Sequence, residues 1–191
     1  SKHVFVPLTF GGGIRTVQDI TKVLQNGADK VVLNTGMYID NSLLSRAAKI
    51  FGSQALVARV DYKNGFVYFE HGGLKSNYTV LQWCEILQNQ GIGEIIINDI
   101  SRDGKGVGYD IETISKVVDI VTVPVVALGG AGDYFDFGEC FDEASPSAVA
   151  AGNIFHFKEH SYFYVKKELE KEGIDIRIEY RELKEVLDEI R

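Results

Sequence analysis

The sequence has few cysteines and few prolines, and the shortage of cysteine excludes two classes of site. Only 2 of its 191 residues are cysteine and 3 are proline. Cys84 and Cys140 lie in helix-like segments and lack the close spacing of metal ligands. We therefore expect two buried free thiols, as in a cytosolic protein, and neither a disulfide framework nor a metal site.

Basic runs and long apolar runs are also missing. The formal net charge is −7 and no segment is rich in lysine or arginine, which argues against nucleic acid as a partner. The longest apolar segments have the length of a strand, far below that of a membrane span, and no signal peptide is recognisable. What the sequence does have is 45% hydrophobic residues, enough for one substantial core. These features predict a cytoplasmic globular protein without membrane association.

Short β-prone apolar segments alternate with amphipathic segments along most of the chain. Because the strands are apolar on both faces, they are typical of a buried parallel sheet with helical crossovers. The pair Asn64-Gly65 predicts a hairpin that extends the third strand, and a glycine-rich loop over residues 71–77 follows it. The predicted strands are Phe5–Phe10, Lys30–Leu33, Ala55–Asp61, Glu94–Asn98, Val125–Leu128 and Ala148–Ala151. The predicted helices are Thr16–Asn26, Ser42–Phe51, Thr79–Gln90, Ile111–Val118, Tyr134–Glu143 and Tyr162–Glu172.

One pattern occurs twice: a strand, glycines, a helix, a second strand and a small polar residue. Glycines between a strand and a helix allow backbone N–H groups to converge on an anion, although a tight turn alone also uses them. The duplication favours phosphate and suggests a duplicated half-barrel, with a substrate that carries a phosphate at each end. The candidate phosphate-binding residues are Gly12, Gly13, Asn34, Thr35, Gly129, Gly130, Gly152 and Asn153.

Charged residues at the predicted strand ends are the other signal. Asp61 ends a buried strand, where a carboxylate is costly unless it is paired or used, so it is the candidate general acid or base. Asp103 lies in the segment Ser101-Arg102-Asp103-Gly104 and is interpreted as a turn former that also reaches the substrate. Lys30 and Glu94 begin their strands at the opposite end, either as solvated charges or as an ion pair that closes the bottom of a barrel.

Six motifs together resemble the cyclase subunit of imidazole glycerol phosphate synthase, from histidine biosynthesis. They occur in family order and extend to about Arg177. The sister isomerase of that pathway typically has Gly-Thr where this chain has Asn34-Thr35, which favours the cyclase. The motifs are PLTFGGGIRT, GADKVVLNTG, FGSQALVARVDYKNG, GIGEIIINDISRDGKGVGYD, VPVVALGGAG and AAGNIFHF.

The resemblance implies a (β/α)8 TIM barrel that acts as a lyase in a glutamine amidotransferase complex. The substrate would be a bisphosphate formimino-aminoimidazole carboxamide ribonucleotide, and the products imidazole glycerol phosphate and aminoimidazole carboxamide ribotide. Ammonia would come from a class I glutaminase subunit at the bottom of the barrel, without a metal or an organic cofactor.

The resemblance also implies roles for individual residues. Asp61 matches the general acid/base of the family's fifth strand, and Asp103 matches a carboxylate of the sixth-strand loop. Lys30 and Glu94 match two members of a charged gate over the ammonia entrance, and Asp29 matches a residue that faces the glutaminase. One phosphate would be held by Gly13 and Asn34, and the other by Gly130, Gly152 and Asn153.

The chain departs from the family at its start. It begins at the family's third strand, so we expect about six βα units (strands 3–8) in residues 1–178 and a helical extension in 179–191. The absent units would contain a second catalytic aspartate. We therefore expect this polypeptide to be inactive alone, with open sheet edges that another chain, including a second copy, could complete.

A second departure lies in the sixth-strand loop. The family usually has Thr-Ser and then Asp before Arg-Asp-Gly, whereas this chain has Asn98-Asp99-Ile100-Ser101, and Leu128 replaces a small polar residue. The changes leave two alternatives open beside the cyclase. One is an ammonia-conducting partner of a glutaminase in the amidation of a surface-polysaccharide sugar, and the other is a non-catalytic phosphate-binding barrel fragment.

Overall fold

A computed structural model describes residues 6–157 and 161–177. Within these residues one sheet of eight strands alternates with helices along the chain. The strands are β1 (Thr9–Gly11), β2 (Lys30–Leu33), β3 (Leu56–Lys63), β4 (Phe66–Phe69), β5 (Leu74–Thr79), β6 (Glu94–Asp99), β7 (Val125–Leu128) and β8 (Ala148–Ala150). The helices are α1 (Val17–Gln25), α2 (Thr35–Ile39), α3 (Leu43–Phe51), α4 (Val80–Asn89), α5 (Ile111–Ile120), α6 (Phe135–Ala144), α7 (Asn153–Phe157) and α8 (Ser161–Lys171).

Six of the strands are parallel and are ordered β1-β2-β3-β6-β7-β8. Helices connect the successive parallel strands, so the chain forms part of a (β/α)8 barrel, as predicted. Because the strands are parallel, all their carboxyl ends lie at one edge of the sheet. Side chains that are far apart in the sequence therefore meet at this edge.

Local side-chain contacts start several of the helices where the sequence predicts them. Thr16 and Asp19 form a capping box at the start of α1, and Thr79 and Gln82 form a second one at α4. The Asp110 carboxylate accepts a hydrogen bond from the Thr113 N–H at the start of α5. The six predicted helices are present, with ends that differ from the prediction by no more than about two residues.

Three details of the predicted chain path are wrong. The first strand within the described residues is Thr9–Gly11, whereas Phe5–Phe10 was predicted, of which Phe5 lies outside the described residues. The predicted glycine-rich loop contains part of β5, which pairs antiparallel with β4. The free edge of β4 gives this segment a partner, and the buried Ser76 hydroxyl donates to the Val67 carbonyl. The short helices α2 and α7 also escaped prediction, because five residues are too few to show a helical period.

The two faces of the parallel sheet differ, contrary to the expectation that both are apolar. Side chains on the helix-covered outer face, such as Leu33, Val60 and Ile97, have no exposed surface. Since side chains alternate along a strand, the residues between them form the inner face. The inner face carries charged and amide groups among its apolar residues, namely Lys30, Arg59, Asp61, Glu94 and Asn98.

Both cysteines are buried free thiols, as predicted, and burial raises the pKa of each to about 12. Among the described residues, no helix is long and apolar enough to cross a bilayer. The same residues contain no cluster of three or more histidine, cysteine, aspartate or glutamate side chains that could hold a metal ion. The predicted helical extension over 179–191 lies outside the described residues.

Candidate functional site

Asp61 lies near the carboxyl end of β3, and its carboxylate accepts three hydrogen bonds. Asn34 Nδ2 donates to Oδ2 at 2.7 Å, and Asn98 Nδ2 donates to Oδ1 at 2.7 Å. The third donor is Arg59 Nε, 2.8 Å from Oδ1. Only 6% of Asp61 is exposed. These three donors, one of which is charged, fix the orientation of the Asp61 carboxylate at the carboxyl-terminal end of the parallel strands.

The strand register brings these four side chains together. Asp61 on β3 pairs with Asn98 on β6, so both side chains occupy the inner face at the same height. Arg59 is two residues earlier on β3 and therefore lies on the same face. Asn34 follows β2, whose last residue Leu33 pairs with Ala58. Only the parallel pairing of separate strands assembles this group, so the sequence alone identified Asp61 and Asn34 but missed Asn98 and Arg59.

The two amides that hold Asp61 each have a second polar atom without a partner. Asn34 Oδ1 and Asn98 Oδ1 are buried and accept no hydrogen bond from any described residue. A buried acceptor without a donor is unfavourable by about 1–3 kcal/mol. Such atoms are uncommon in folded proteins, and each can accept a hydrogen bond from a bound molecule that carries N–H or O–H groups.

The first glycine loop connects β1 to α1 and is open. Gly12 and Gly13 have φ angles of 125° and 68°, in the region that favours glycine. A Cβ atom at either position would meet nothing within 4 Å, so packing does not require glycine here. Thr35, a predicted partner of this loop, uses its Oγ1 to accept a hydrogen bond from the Glu70 N–H at 3.0 Å.

The second glycine loop, after β7, is tightly packed. A Cβ atom at Gly129 would lie 2.7 Å from Asn98 Oδ1, and one at Gly130 would collide with the Gly108 carbonyl. The Gly130 carbonyl in turn accepts a hydrogen bond from the Gly108 N–H at 3.0 Å. Close approach of two backbones therefore explains these glycines without a ligand.

The remaining two predicted phosphate residues lie after β8. A Cβ atom at Gly152 would meet nothing within 4 Å, as at Gly12 and Gly13. Asn153 begins α7, and its Nδ2 would be 3.2 Å from a Cβ atom at Gly104. The loop after β8 thus lies beside the loop after β6, near the second glycine loop.

The two aspartates of the loop after β6 have different environments. Asp103 is exposed, and within the described ranges its carboxylate makes no hydrogen bond or ion pair. Asp99 is buried, and its Oδ1 accepts from the N–H and hydroxyl of Ser101 at 2.8 and 2.6 Å. Its Oδ2 lies 3.3 Å from Arg102 Nε. Asp99 therefore organises this loop.

The opposite end of the inner face carries an ion pair between Lys30 and Glu94. Both side chains are partly buried, with 33% and 18% of their surface exposed. Of the two alternatives that the sequence left open, solvated charges or an ion pair, Lys30 and Glu94 therefore form the ion pair. The neighbouring Asp29 is exposed, and its carboxylate accepts a hydrogen bond from the Leu8 N–H at 2.7 Å.

Comparison with known proteins assigns the chain to a family. The family described as "Histidine biosynthesis protein" matches residues 1–161. The imidazole glycerol phosphate synthase subunit HisF of Clostridium botulinum is 37% identical over 184 residues, which are 93% of this chain and 73% of that protein. The subunit of the same name from Dehalococcoides mccartyi is 39% identical over 183 residues, which are 94% of this chain and 72% of that protein.

These similarities span nearly the whole chain and include both glycine loops and the strands that carry Asp61, Asn98 and the ion pair. They agree with the partial (β/α)8 barrel that the strand order shows. The chain belongs to the histidine biosynthesis protein family, as a relative of the HisF subunits of imidazole glycerol phosphate synthase.

Proposed function

We propose that the chain acts as a HisF-type cyclase. It would use ammonia to convert a bisphosphate formimino-aminoimidazole carboxamide ribonucleotide to imidazole glycerol phosphate and aminoimidazole carboxamide ribotide. The observation that carries this proposal is the Asp61 carboxylate, which accepts hydrogen bonds from three donors on the inner face of the sheet. The relatives of the chain are HisF subunits, which supports the same function. Asp61 belongs to β3, in the middle of the strand order, and the glycine loops follow β1 and β7 on either side of it.

This arrangement suits a long substrate with a phosphate at each end. One phosphate would bind Gly12, Gly13, Asn34 and Thr35, and the other would bind the loops that contain Gly129, Gly130, Gly152 and Asn153. The positive φ angles and open surroundings of Gly12 and Gly13 support the first site. At Gly129 and Gly130 the support is weaker, because packing already explains both glycines.

Between the two phosphates, Asp61 would act as the general acid and base. Proton transfer is needed when the ammonia nitrogen adds to the substrate and again when the imidazole ring closes. The hydrogen bonds from Asn34 and Asn98 would hold the Asp61 carboxylate in one orientation for both transfers. The exposed Asp103 would have to approach the substrate from the loop after β6.

We propose a class I glutaminase subunit as the source of ammonia. Its docking surface would include Asp29, and the Lys30–Glu94 ion pair would lie at the ammonia entrance, at the end of the sheet opposite Asp61. A second copy of the chain is a further proposed partner, since in the described residues β1 and β8 are the edge strands of the parallel sheet. The size of the particle in solution, with and without the glutaminase, tests both partners.

A second candidate function is supported by the loop after β6. Asp99 is buried and tied to Ser101 and Arg102, while Asn98 replaces the threonine that is usual in the cyclase family. These changes alter the side chains beside Asp61 and favour a different acceptor for the ammonia, such as a surface-polysaccharide sugar. Growth of a cyclase-deficient strain that carries the encoding gene separates the two functions, because only the cyclase restores growth without histidine.

The cyclase proposal is tested by product formation from the ribonucleotide with ammonium salt, for the chain alone and with a HisF-partner glutaminase plus glutamine. In the assay with the glutaminase, Asp61→Asn should abolish turnover, whereas Asp119→Asn, an exposed position on α5, should leave it unchanged. Because the chain alone is expected to be inactive, the result that would reject the cyclase proposal is an absence of turnover when the soluble wild-type protein is combined with the glutaminase and glutamine. Phosphate binding without turnover would then support the non-catalytic alternative.

A further inference from the structure

The side-chain amide of Asn98 is oriented by the carboxylate that it contacts. Asn98 Nδ2 donates to Asp61 Oδ1, and an ionised carboxylate only accepts hydrogen bonds. The NH2 group of Asn98 therefore faces Asp61, and the amide oxygen faces away from it. Asn34 has the same orientation after β2, but it is only half-buried. Asn98 has no exposed surface, so the surrounding atoms hold its amide in place as well.

The oxygen of this amide, Asn98 Oδ1, is a buried acceptor that receives no hydrogen bond within residues 6–157 and 161–177. A carbonyl oxygen has two lone pairs, and a buried position without any donor is unfavourable for it. The hydrogen bond to Asp61 explains the NH2 group of Asn98 but not its oxygen. The oxygen therefore points to a ligand that carries N–H or O–H groups.

Asn98 lies on the inner face of β6, on the same side of the strand as the ion pair. Glu94, Ile96 and Asn98 alternate onto this face, and four residues along a strand correspond to about 13 Å. Asn98 and Asp61 are paired in register, so they lie at the same height. A small molecule that enters at the Lys30–Glu94 end and moves along the inner face therefore meets Asn98 where it meets Asp61.

Ammonia suits this acceptor better than a large substrate does. It has the size of a water molecule, so reaching the covered oxygen displaces few neighbouring atoms. It carries three N–H groups and one lone pair, and the lone pair must stay free to attack a substrate carbon. The carbonyl oxygen of Asn98 binds an N–H group and leaves that lone pair unoccupied. Of the Asp61 lone pairs, one on Oδ2 has no donor among the described residues and is free to take a proton.

We propose that Asn98 is a further catalytic residue, whose Oδ1 accepts a hydrogen bond from ammonia as ammonia attacks the substrate. The nitrogen lone pair forms a bond to an electrophilic carbon, whose π-electron pair moves to the attached oxygen or nitrogen. The attacking nitrogen becomes positively charged and transfers one proton to the Asp61 carboxylate. Asn98 Oδ1 binds a second N–H of the same nitrogen, and this hydrogen bond strengthens as the charge develops. The proposal rests on the proposed function only for the use of ammonia, which both candidate functions share.

Binding is tested by NMR on the ¹³C,¹⁵N-labelled chain, titrated with ammonium chloride and, separately, with potassium chloride at the same ionic strength. The side-chain amide resonances of Asn98 should shift and saturate with ammonium chloride only, whereas those of the exposed Asn89 should respond equally to both salts. Shifts at Asn98 that are no larger with ammonium than with potassium reject the proposal. This readout needs no turnover, so saturable binding in a chain without cyclase activity rejects only the cyclase.

A kinetic test separates the amide oxygen from the orientation of Asp61. The complex with the glutaminase is supplied with ammonium salt instead of glutamine. Asn98→Leu removes a donor to Asp61 Oδ1 together with the acceptor, whereas Arg59→Met removes a donor to the same oxygen without removing an acceptor. Both variants should lower kcat. Only Asn98→Leu should raise the KM for ammonia, by about tenfold, with an unchanged KM for the ribonucleotide.

Asn98→Thr provides the matched rescue. A hydroxyl group donates to Asp61 and accepts from ammonia with the same oxygen, so this variant should recover part of the lost affinity for ammonia. If the KM for ammonia is the same in Asn98→Leu and Arg59→Met, Asn98 only positions Asp61 and the proposal is rejected.

Discussion

Asn98 Nδ2 donates a hydrogen bond to Asp61 Oδ1 at 2.7 Å, and Asn98 has no exposed surface. The other polar atom of the same amide, Oδ1, is buried without a partner in the described residues and lies against Gly129. Asn98 thus links the candidate catalytic carboxylate on β3 to the second glycine loop after β7. Asn98 therefore belongs to the candidate site through its hydrogen bond to Asp61, although it departs from the usual family sequence at this position.

Replacing Asn98 should impair catalysis more than folding. Asn98→Leu removes one of the three donors to Asp61 and also removes the unpartnered Oδ1, so the free energy of unfolding should change by no more than about 1 kcal/mol. The Asp61 carboxylate should lose its fixed orientation, and kcat should fall at least about tenfold with little change in KM. Urea unfolding and steady-state kinetics measure the two effects.

The control for this substitution is Asn89→Leu at an exposed position of α4. It introduces the same side chain away from the site and should leave kcat unchanged. An unaltered kcat in Asn98→Leu would show that the hydrogen bond to Asp61 has no catalytic role.

Gly129→Ala should destabilise the protein and disturb Asp61 through Asn98. The added methyl group would lie 2.7 Å from Asn98 Oδ1, in a residue whose φ angle of 91° is unfavourable for alanine. The positive φ angle alone costs about 1–2 kcal/mol, and the contact should add to it. Thermal and urea unfolding measure the sum.

Gly65→Ala separates the two contributions. Gly65 has a φ angle of 76°, but a Cβ atom there would meet nothing within 4 Å. The loss of stability should therefore be smaller in Gly65→Ala, and the Asn98 side-chain amide resonance should move only in Gly129→Ala. Equal losses in the two variants would mean that Gly129 is required by its backbone angle alone.

The Lys30–Glu94 ion pair at the amino-terminal end of the sheet should contribute more to the free energy of unfolding than an ordinary surface ion pair does. Lys30→Met leaves the partly buried Glu94 carboxylate without its cation, and the free energy of unfolding should fall by about 1–2 kcal/mol. Adding Glu94→Gln should restore part of that loss, because the uncompensated charge is removed. Chemical unfolding of the two variants measures the difference.

A surface pair of the same chain provides the comparison. Lys116 and Glu112 pair on α5 with 57% and 80% of their side chains exposed, so Lys116→Met should cost no more than about 0.5 kcal/mol. If Lys30→Met costs as little, the contact between Lys30 and Glu94 stabilises the sheet no more than a solvated pair does.

The two cysteines should be unreactive in the folded protein and should make its stability depend on alkaline pH. Burial raises the pKa of both thiols to about 12, whereas a thiol in the unfolded chain titrates near about 8.5. The unfolded chain therefore loses protons first, and the free energy of unfolding should fall as the pH rises from about 8.5 towards 12.

Alkylation and unfolding at several pH values check this prediction. The native protein at pH ~8 should react with iodoacetamide only after denaturant is added. A Cys84→Ala/Cys140→Ala variant should show a weaker fall in stability above pH ~8.5 than the wild type. Rapid alkylation of the native protein at pH ~8 would contradict the burial of these thiols.

The sequence by itself determined the alternation of strands and helices, and with it the class of fold. Some of these elements depend on contacts within only a few residues, so they can be predicted from the local sequence. Examples are the helix caps formed by Thr16 with Asp19 and by Thr79 with Gln82, and the Asn64-Gly65 turn. The glycine loops and Asp61 were recognisable for the same reason, since each follows an apolar strand segment. The ion pair of Lys30 and Glu94 was raised only as one of two alternatives, because its members belong to different strands.

The tertiary structure decided which side chains contact Asp61. Asn34, Arg59 and Asn98 reach it through the register of three parallel strands, and pairing between strands depends on contacts that are distant in the sequence. Pairing between strands also placed residues 74–77 of the loop predicted over residues 71–77 in β5, because the edge of β4 offered hydrogen bonds that the segment alone could not supply. It also separated the glycines by their environment, with Gly12 and Gly13 in open space and Gly129 and Gly130 against neighbouring backbone and side-chain atoms.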